Sequence, residues 1–248
     1  AEEYPHIIKT EKLKKLAHTI VGEEKNPVLQ ASMIYDWIAT NFPWAGAREY
    51  STIPNIPEYV VENRHGDCGQ VALLYITLVR CLDIPARWES GFMLHPGAEN
   101  YHDWAETYFE GTGWVATDPS FGRSTTGESL ADYYKTGIDL YRFVVNKGVN
   151  GSFDPKKNYI RSETVDNQAG EVEWKNGNLE YKDWTSDLHV DSCIKIDINR
   201  PEYSWALTKL SVASMRTSGD HAAEMATQSV MGTPLKVLQK DDEWYKVE

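Results

Sequence analysis

Cysteine is scarce in this chain: three in 248 residues, Cys68, Cys81 and Cys193. An odd number leaves at least one thiol outside any bridge within a single chain. The three form no CxxC pair and no Cys/His cluster with zinc spacing, which argues against a structural zinc. The acidic residues show no calcium-loop spacing either, so neither metal nor cofactor is expected. A run of 18 apolar residues is missing, and with it any transmembrane helix. Basic charge is short as well: 25 Lys and Arg face 37 Asp and Glu, a net charge of −12. Between Gly22 and Asp132 there are 16 acidic residues and 6 basic ones, a balance of −10. Such a surface repels phosphate backbones, so nucleic acid is not an expected partner, whereas neutral or cationic substrates are tolerated. A basic-then-apolar leader is absent from the opening AEEYPH. The expectation is an exported protein whose signal peptide has been removed, periplasmic or at the cell surface, with a cytoplasmic one as the alternative.

Aromatic residues are abundant, with 9 Trp and 14 Tyr. Together with 41% hydrophobic and 25% charged residues, they indicate a packed protein containing β structure. The periodicity predicts helices over 9–21, from Pro27 to about Thr40 with Met33, Ile34, Trp37 and Ile38 inward, and over 57–63. A further helix over 70–82 is apolar on most of its circumference, so it is expected to be central and buried. Residues 41–57 read as a long ordered loop. Strands are predicted over 86–94, 102–110, 114–118 and 142–145, the second and third joined by the turn Gly111-Thr112-Gly113. Asn176-Gly177 marks another hairpin within 171–184.

A single cysteine is more often a small core hydrophobe than a nucleophile. Three features set Cys68 apart. It stands at the predicted start of the central helix, where N–H groups and the helix dipole stabilise a thiolate. Gly66 and Gly69 flank it, and its other neighbours (Arg64, His65, Asp67, Gln70) are polar. Cys81, inside the apolar stripe, has none of these. A cysteine nucleophile needs an imidazole within reach and a group to orient that imidazole. His102 heads the strand His-Asp-Trp-Ala-Glu-Thr-Tyr, and Asp118 ends the next strand of the same hairpin, close to facing it. His65 and His95 lack an obvious acid on a paired strand.

GDCGQVALLYITLVRCLDIPARWESGF at 66–92 and HDWAETYFEGTGWVATDPSFG at 102–122 resemble the transglutaminase-like superfamily, the likeness spanning about residues 28–122. The resemblance implies a papain-like α+β fold, with the cysteine helix packed on an antiparallel sheet. It implies that Cys68 is the nucleophile, His102 the general base and acid, and Asp118 the orienter. Cys68 and His102 would then rest as a thiolate–imidazolium pair. It also implies a further oxyanion donor upstream, for which Trp44 and Tyr50 are candidates beside the Cys68 backbone N–H. Trp44, Tyr50, Trp88, Tyr101 and Trp104 are candidate substrate-binding aromatics. The segments around 211–216, 232–238 and 244–247 resemble the first part of a bacterial SH3-like barrel, a module common in exported cell-envelope proteins. The expected organisation is therefore a transglutaminase-like domain over 1–163, a β-hairpin extension or connection over 164–206, and a partial SH3-like β module over 207–248.

These readings point to hydrolysis of peptide-like amide bonds, with peptide or peptidoglycan-like substrates, in the cell envelope. A peptide N-glycanase-like amidase, an amine-transferring transglutaminase and a non-catalytic binding module that keeps the fold remain the alternatives.

Overall fold

Four helices start where a short polar side chain can take up an orphan N–H group. Thr10 accepts from Leu13 N ahead of α1 (Glu11–Val21), and Asn26 accepts from Val28 and Leu29 N ahead of α2 (Pro27–Asn41). Asn55 caps α3 (Ile56–Asn63) through Glu58 N, and Asp67 caps α4 (Cys68–Cys81) through Gln70 N at 2.8 Å. Between α3 and α4 the chain reverses through Arg64, whose φ of 61° is left-handed. The computed structural model describes residues 2–46, 48–121, 128–149, 151–160, 170–191, 204–208, 212–220, 222–230, 232–241 and 244–247. Cys193 and part of the expected 164–206 extension (164–169 and 192–203) lie outside them.

The described chain divides into two compact units, Ala1–Val190 and Asp191–Glu248. In the first, β1 (Ala86–Met93), β2 (Asn100–Phe109), β3 (Gly113–Thr117) and β4 (Arg142–Lys147) form an antiparallel sheet in the order β3-β2-β1-β4. The α4 helix is buried along nearly its whole length, from Gly69 to Cys81, as its all-round apolar sequence requires. It packs on β1 and β2, with α1, α2 and α3 around it. One link between helix and sheet is polar: Tyr75 Oη and Thr107 Oγ1 lie 2.9 Å apart. Gly91 admits β4: a Cβ there would come within 3.0 Å of the Phe143 carbonyl and Val145 N. The ladder shifts register at this point, between Ser90 and Gly91.

The α+β architecture matches expectation, with three differences in detail. Met33 is exposed, because its position on α2 turns away from the stripe that buries Ile34, Tyr35 and Ile38. A fifth helix, α5 (Glu128–Lys135), was not expected: at eight residues it carries only a short stripe in the sequence, Leu130, Tyr133 and Tyr134. Lys135 of α5 ties it to Asp36 of α2 at 2.9 Å. The 142–145 segment extends to Lys147 and forms an edge of the sheet. The Asn176-Gly177 turn joins β5 (Val172–Trp174) to β6 (Gly177–Leu179). In the second unit, β7 (Ser204–Leu207) and β11 (Trp244–Val247) flank β10 (Pro234–Asp241), while β8 (Val212–Arg216) pairs with β9 (Met225–Val230). No helix among the described residues is long and apolar enough to cross a membrane.

Candidate active site

Cys68 is the first residue of α4 and is partly exposed. Its cap, Asp67, accepts both Gln70 N and the Tyr50 hydroxyl. Burial pushes the Asp67 carboxyl up from its ordinary range, against the Tyr50, Gln70 and Gly69 donors that pull it down. Glycine is required next to the cysteine: a Cβ on Gly69 would stand within 3.0 Å of Tyr50 Oη, the Trp88 ring and Asp103 Oδ2. The start of α4 is thus pressed against the sheet and the aromatic loop at once.

His102 lies on β2, and its Nε2 is 2.7 Å from Asp118 Oδ2. Asp118 follows the end of β3. The β2–β3 register pairs Ala105 with Thr117, which brings Asp118 alongside Trp104, two residues from His102. Asp118 is completely buried. Burial pushes its carboxyl up, but the His102 ring, the Arg142 guanidinium and the Ser120 N–H outweigh that and hold it below the usual carboxylate range. Cys68 approaches the same strand. Its Sγ donates to Asp103 Oδ2 at 3.4 Å, and Asp103 is the chain neighbour of His102. The 3-10 turn Pro119–Phe121, directly after Asp118, contacts α4. The Phe121 ring meets the His102 ring edge-on at 5.3 Å.

The aromatic candidates separate into four settings. Trp44 is 64% exposed and forms a parallel bridge to Gly66, two residues before the cysteine. Tyr50 is buried with its hydroxyl committed to Asp67. Trp88 and Trp104 are interior: Trp88 packs against Gly69, while Trp104 is 0% exposed and donates Nε1 to Glu89 at 2.7 Å. The Trp104 ring therefore supports the sheet and offers no surface to a substrate. Tyr101 is partly exposed, its ring tilted against Phe92 at 5.8 Å, and it bonds Ser186 through its hydroxyl.

Sequence reasoning missed three neighbours of the site. Asp103 touches the sulfur, yet a residue alternating with His102 along a strand gives no sign of that. Arg142 donates Nη1 to Asp118 Oδ2 at 2.9 Å from a strand 24 residues further on. His95, set aside for want of an acid, has Asp139 at 3.1 Å, supplied by the loop before β4 and not by a paired strand.

Residues 14–119 match the profile of the transglutaminase-like superfamily, and residues 215–248 match that of the bacterial dipeptidyl-peptidase Sh3 domain. The protein YebA of Bacillus subtilis is 24% identical over 149 residues, 52% of this chain. The chain spans about a fifth of that relative, 20% of its length. Among solved structures, a candidate cysteine protease from Cytophaga hutchinsonii is 28% identical, with a TM-score of 0.41 over 47% of this chain and 41% of that one. The periplasmic domain of TgpA from Pseudomonas aeruginosa is 19% identical, with a TM-score of 0.40 over 48% and 47%. Over residues 14–119 the chain is thus similar to the transglutaminase-like superfamily, and over 215–248 to the bacterial dipeptidyl-peptidase Sh3 domain.

Proposed function

We propose that this protein is a cysteine-nucleophile hydrolase of peptide-like amide bonds, with Cys68 as nucleophile, His102 as general base and acid, and Asp118 as the orienting carboxylate. The observation that carries the reading is the buried 2.7 Å contact between His102 Nε2 and Asp118 Oδ2, together with a partly exposed cysteine at a helix N-terminus whose sulfur reaches Asp103, the chain neighbour of His102. With Nε2 engaged by Asp118, Nδ1 is the ring nitrogen that exchanges a proton with the sulfur. The sulfur attacks the carbonyl carbon while its proton passes to His102, and the helix N-terminus stabilises the oxyanion. The C–N bond breaks as His102 returns that proton to the leaving amine. Water then attacks the thioester, giving one proton to His102, and the sulfur leaves with that proton. An amine in place of water would make the product a new amide.

Two influences oppose each other at Sγ. The helix dipole and an imidazolium favour the thiolate, whereas an ionised Asp103 at 3.4 Å favours the thiol. Alkylation with iodoacetamide between pH 5 and 9, with the modified residue located by mass spectrometry, reads the balance. Selective modification of Cys68 well below pH 8, lost in His102→Ala, is the expected result. A Cys68 that stays inert across the range in the folded protein would remove the proposal. The Sh3 domain supports an action in the bacterial cell envelope, on peptides or peptidoglycan fragments, which serve as the first substrates to screen.

A further inference from the structure

Arg142 opens β4 and belongs to no motif of the sequence reading. Its side chain is 0% exposed. Nη1 donates to Asp118 Oδ2 at 2.9 Å, the same oxygen that faces His102 Nε2 at 2.7 Å. Nε donates to Asp139 Oδ2 at 3.2 Å. The guanidinium carbon lies 4.6 Å from the Phe121 ring centre and 5.7 Å from those of Trp104 and Tyr134. Asp139 is itself fixed by the Tyr134 hydroxyl at 2.8 Å, by Tyr141 N at 2.9 Å and by His95 Nε2 at 3.1 Å.

We propose that Arg142 is a positioning residue: it clamps Asp118 Oδ2 toward His102 and supplies the positive charge that lets Asp118 and Asp139 occupy one enclosed site as carboxylates. This rests on the reading of Cys68, His102 and Asp118 as the catalytic set. Two carboxylates converging without a cation cannot both ionise readily, and one takes up a proton. A protonated or rotated Asp118 no longer holds the His102 ring. Arginine suits the task because its planar fork reaches two acceptors at once, where a lysine ammonium acts as a point charge. The aromatic rings around it enclose the cation and favour it electrostatically. Burial pulls the Arg142 charge down, but Asp118 and Asp139 together raise it, and both carboxylates are held low in return. The titratable groups facing this centre are His102 from β2, Asp139 from the loop before β4, His95 from the loop after β1, Tyr133 and Tyr134 from α5, and Tyr35 from α2.

The test follows the His102 titration by NMR on histidine-labelled protein, with the resonance assigned through His102→Gln. The proteins compared are wild type, Asp118→Asn, Arg142→Met and Arg142→Lys, each with its melting temperature. Removing a positive charge by itself would raise the His102 pKa; losing the Asp118 carboxylate would lower it. The expected result is a downward shift in Arg142→Met, toward Asp118→Asn, with Arg142→Lys in between. An unmoved or raised His102 in a folded Arg142→Met overturns the inference. If Arg142→Met does not fold, Arg142→Lys decides: a wild-type titration there overturns it equally. Cys68 alkylation on the same samples, read at a pH below the thiol pKa, is expected to slow about three- to fourfold for each unit by which that pKa rises, the loss of thiolate being partly offset by its greater nucleophilicity. Failure of the catalytic reading appears as an inert Cys68 in the wild type, and failure of this one as an unshifted His102.

Discussion

Gly69 and Asp67 hold Cys68 in place from either side, and each makes a separate prediction. Gly69→Ala would drive a methyl into Tyr50, Trp88 and Asp103, all anchored in the interior or by hydrogen bonds. We expect a destabilisation of about 1–3 kcal/mol, and a larger effect on Cys68 alkylation than on melting, because the sulfur sits on the residue next to the one displaced. Asp67→Ala removes a helix cap and the partner of the Tyr50 hydroxyl, with an expected cost of roughly 0.5–2 kcal/mol from the cap. Chemical denaturation of both variants measures these costs. A Gly69→Ala protein with wild-type stability and reactivity would show that the three neighbours yield easily. The helix start at Cys68 and the His102–Asp118 contact were legible in the sequence because the cues are local: a polar, glycine-flanked turn before an apolar helix, and a hairpin with a short turn. Asp103 was not, since a strand pattern says which residues alternate and not what packs over them.

At the level of elements, β4 is the strand on which the site depends without contributing to its motifs. It pairs with β1 across Gly91, where only a bare Cα leaves room for the Phe143 carbonyl. Gly91→Ala is expected to push β4 off the sheet edge and carry Arg142 away from Asp118. The loss should exceed 1–3 kcal/mol, a typical overpacking cost, because backbone and not a flexible side chain must move (about 1–3 kcal/mol is the ordinary range). Hydrogen exchange along 142–147 reads the detachment directly; unchanged protection there would contradict it. The helices were legible from periodicity and caps, and the β1–β2–β3 meander from its turns. The placement of β4 was not, because its partner β1 lies some fifty residues earlier, with two strands and a helix between them. Arg142 and Asp139 stayed hidden for the same reason: their partners are distant in sequence, and nothing local marks a buried arginine.

Across the whole molecule, two buried or half-buried carboxylates with depressed pKa values set the response to acid. Asp118 and Asp139 are both pushed up by burial, yet held low by the charges and donors around them. A group depressed in the folded state contributes stability above its unfolded pKa, about 3.9 for Asp, and that contribution is lost as pH falls through the folded value. Melting temperature should therefore change little on this account from neutral pH down to about 4 and drop below it. Asp139→Asn should flatten the drop, and an acid limb identical to wild type would show that the pair carries no such linkage. The helix α4 offers a further use. Its two ends carry the same functional group in opposite circumstances: Cys68 partly open at the first position, and Cys81 buried at the last, where burial pushes the thiol up to about 11. Cys81, 9% exposed and with its thiol held protonated, meets a thiol reagent slowly until the core around α4 parts. Its labelling rate is thus a clock for the opening of the first unit, running in the same sample and on the same helix as the labelling of Cys68.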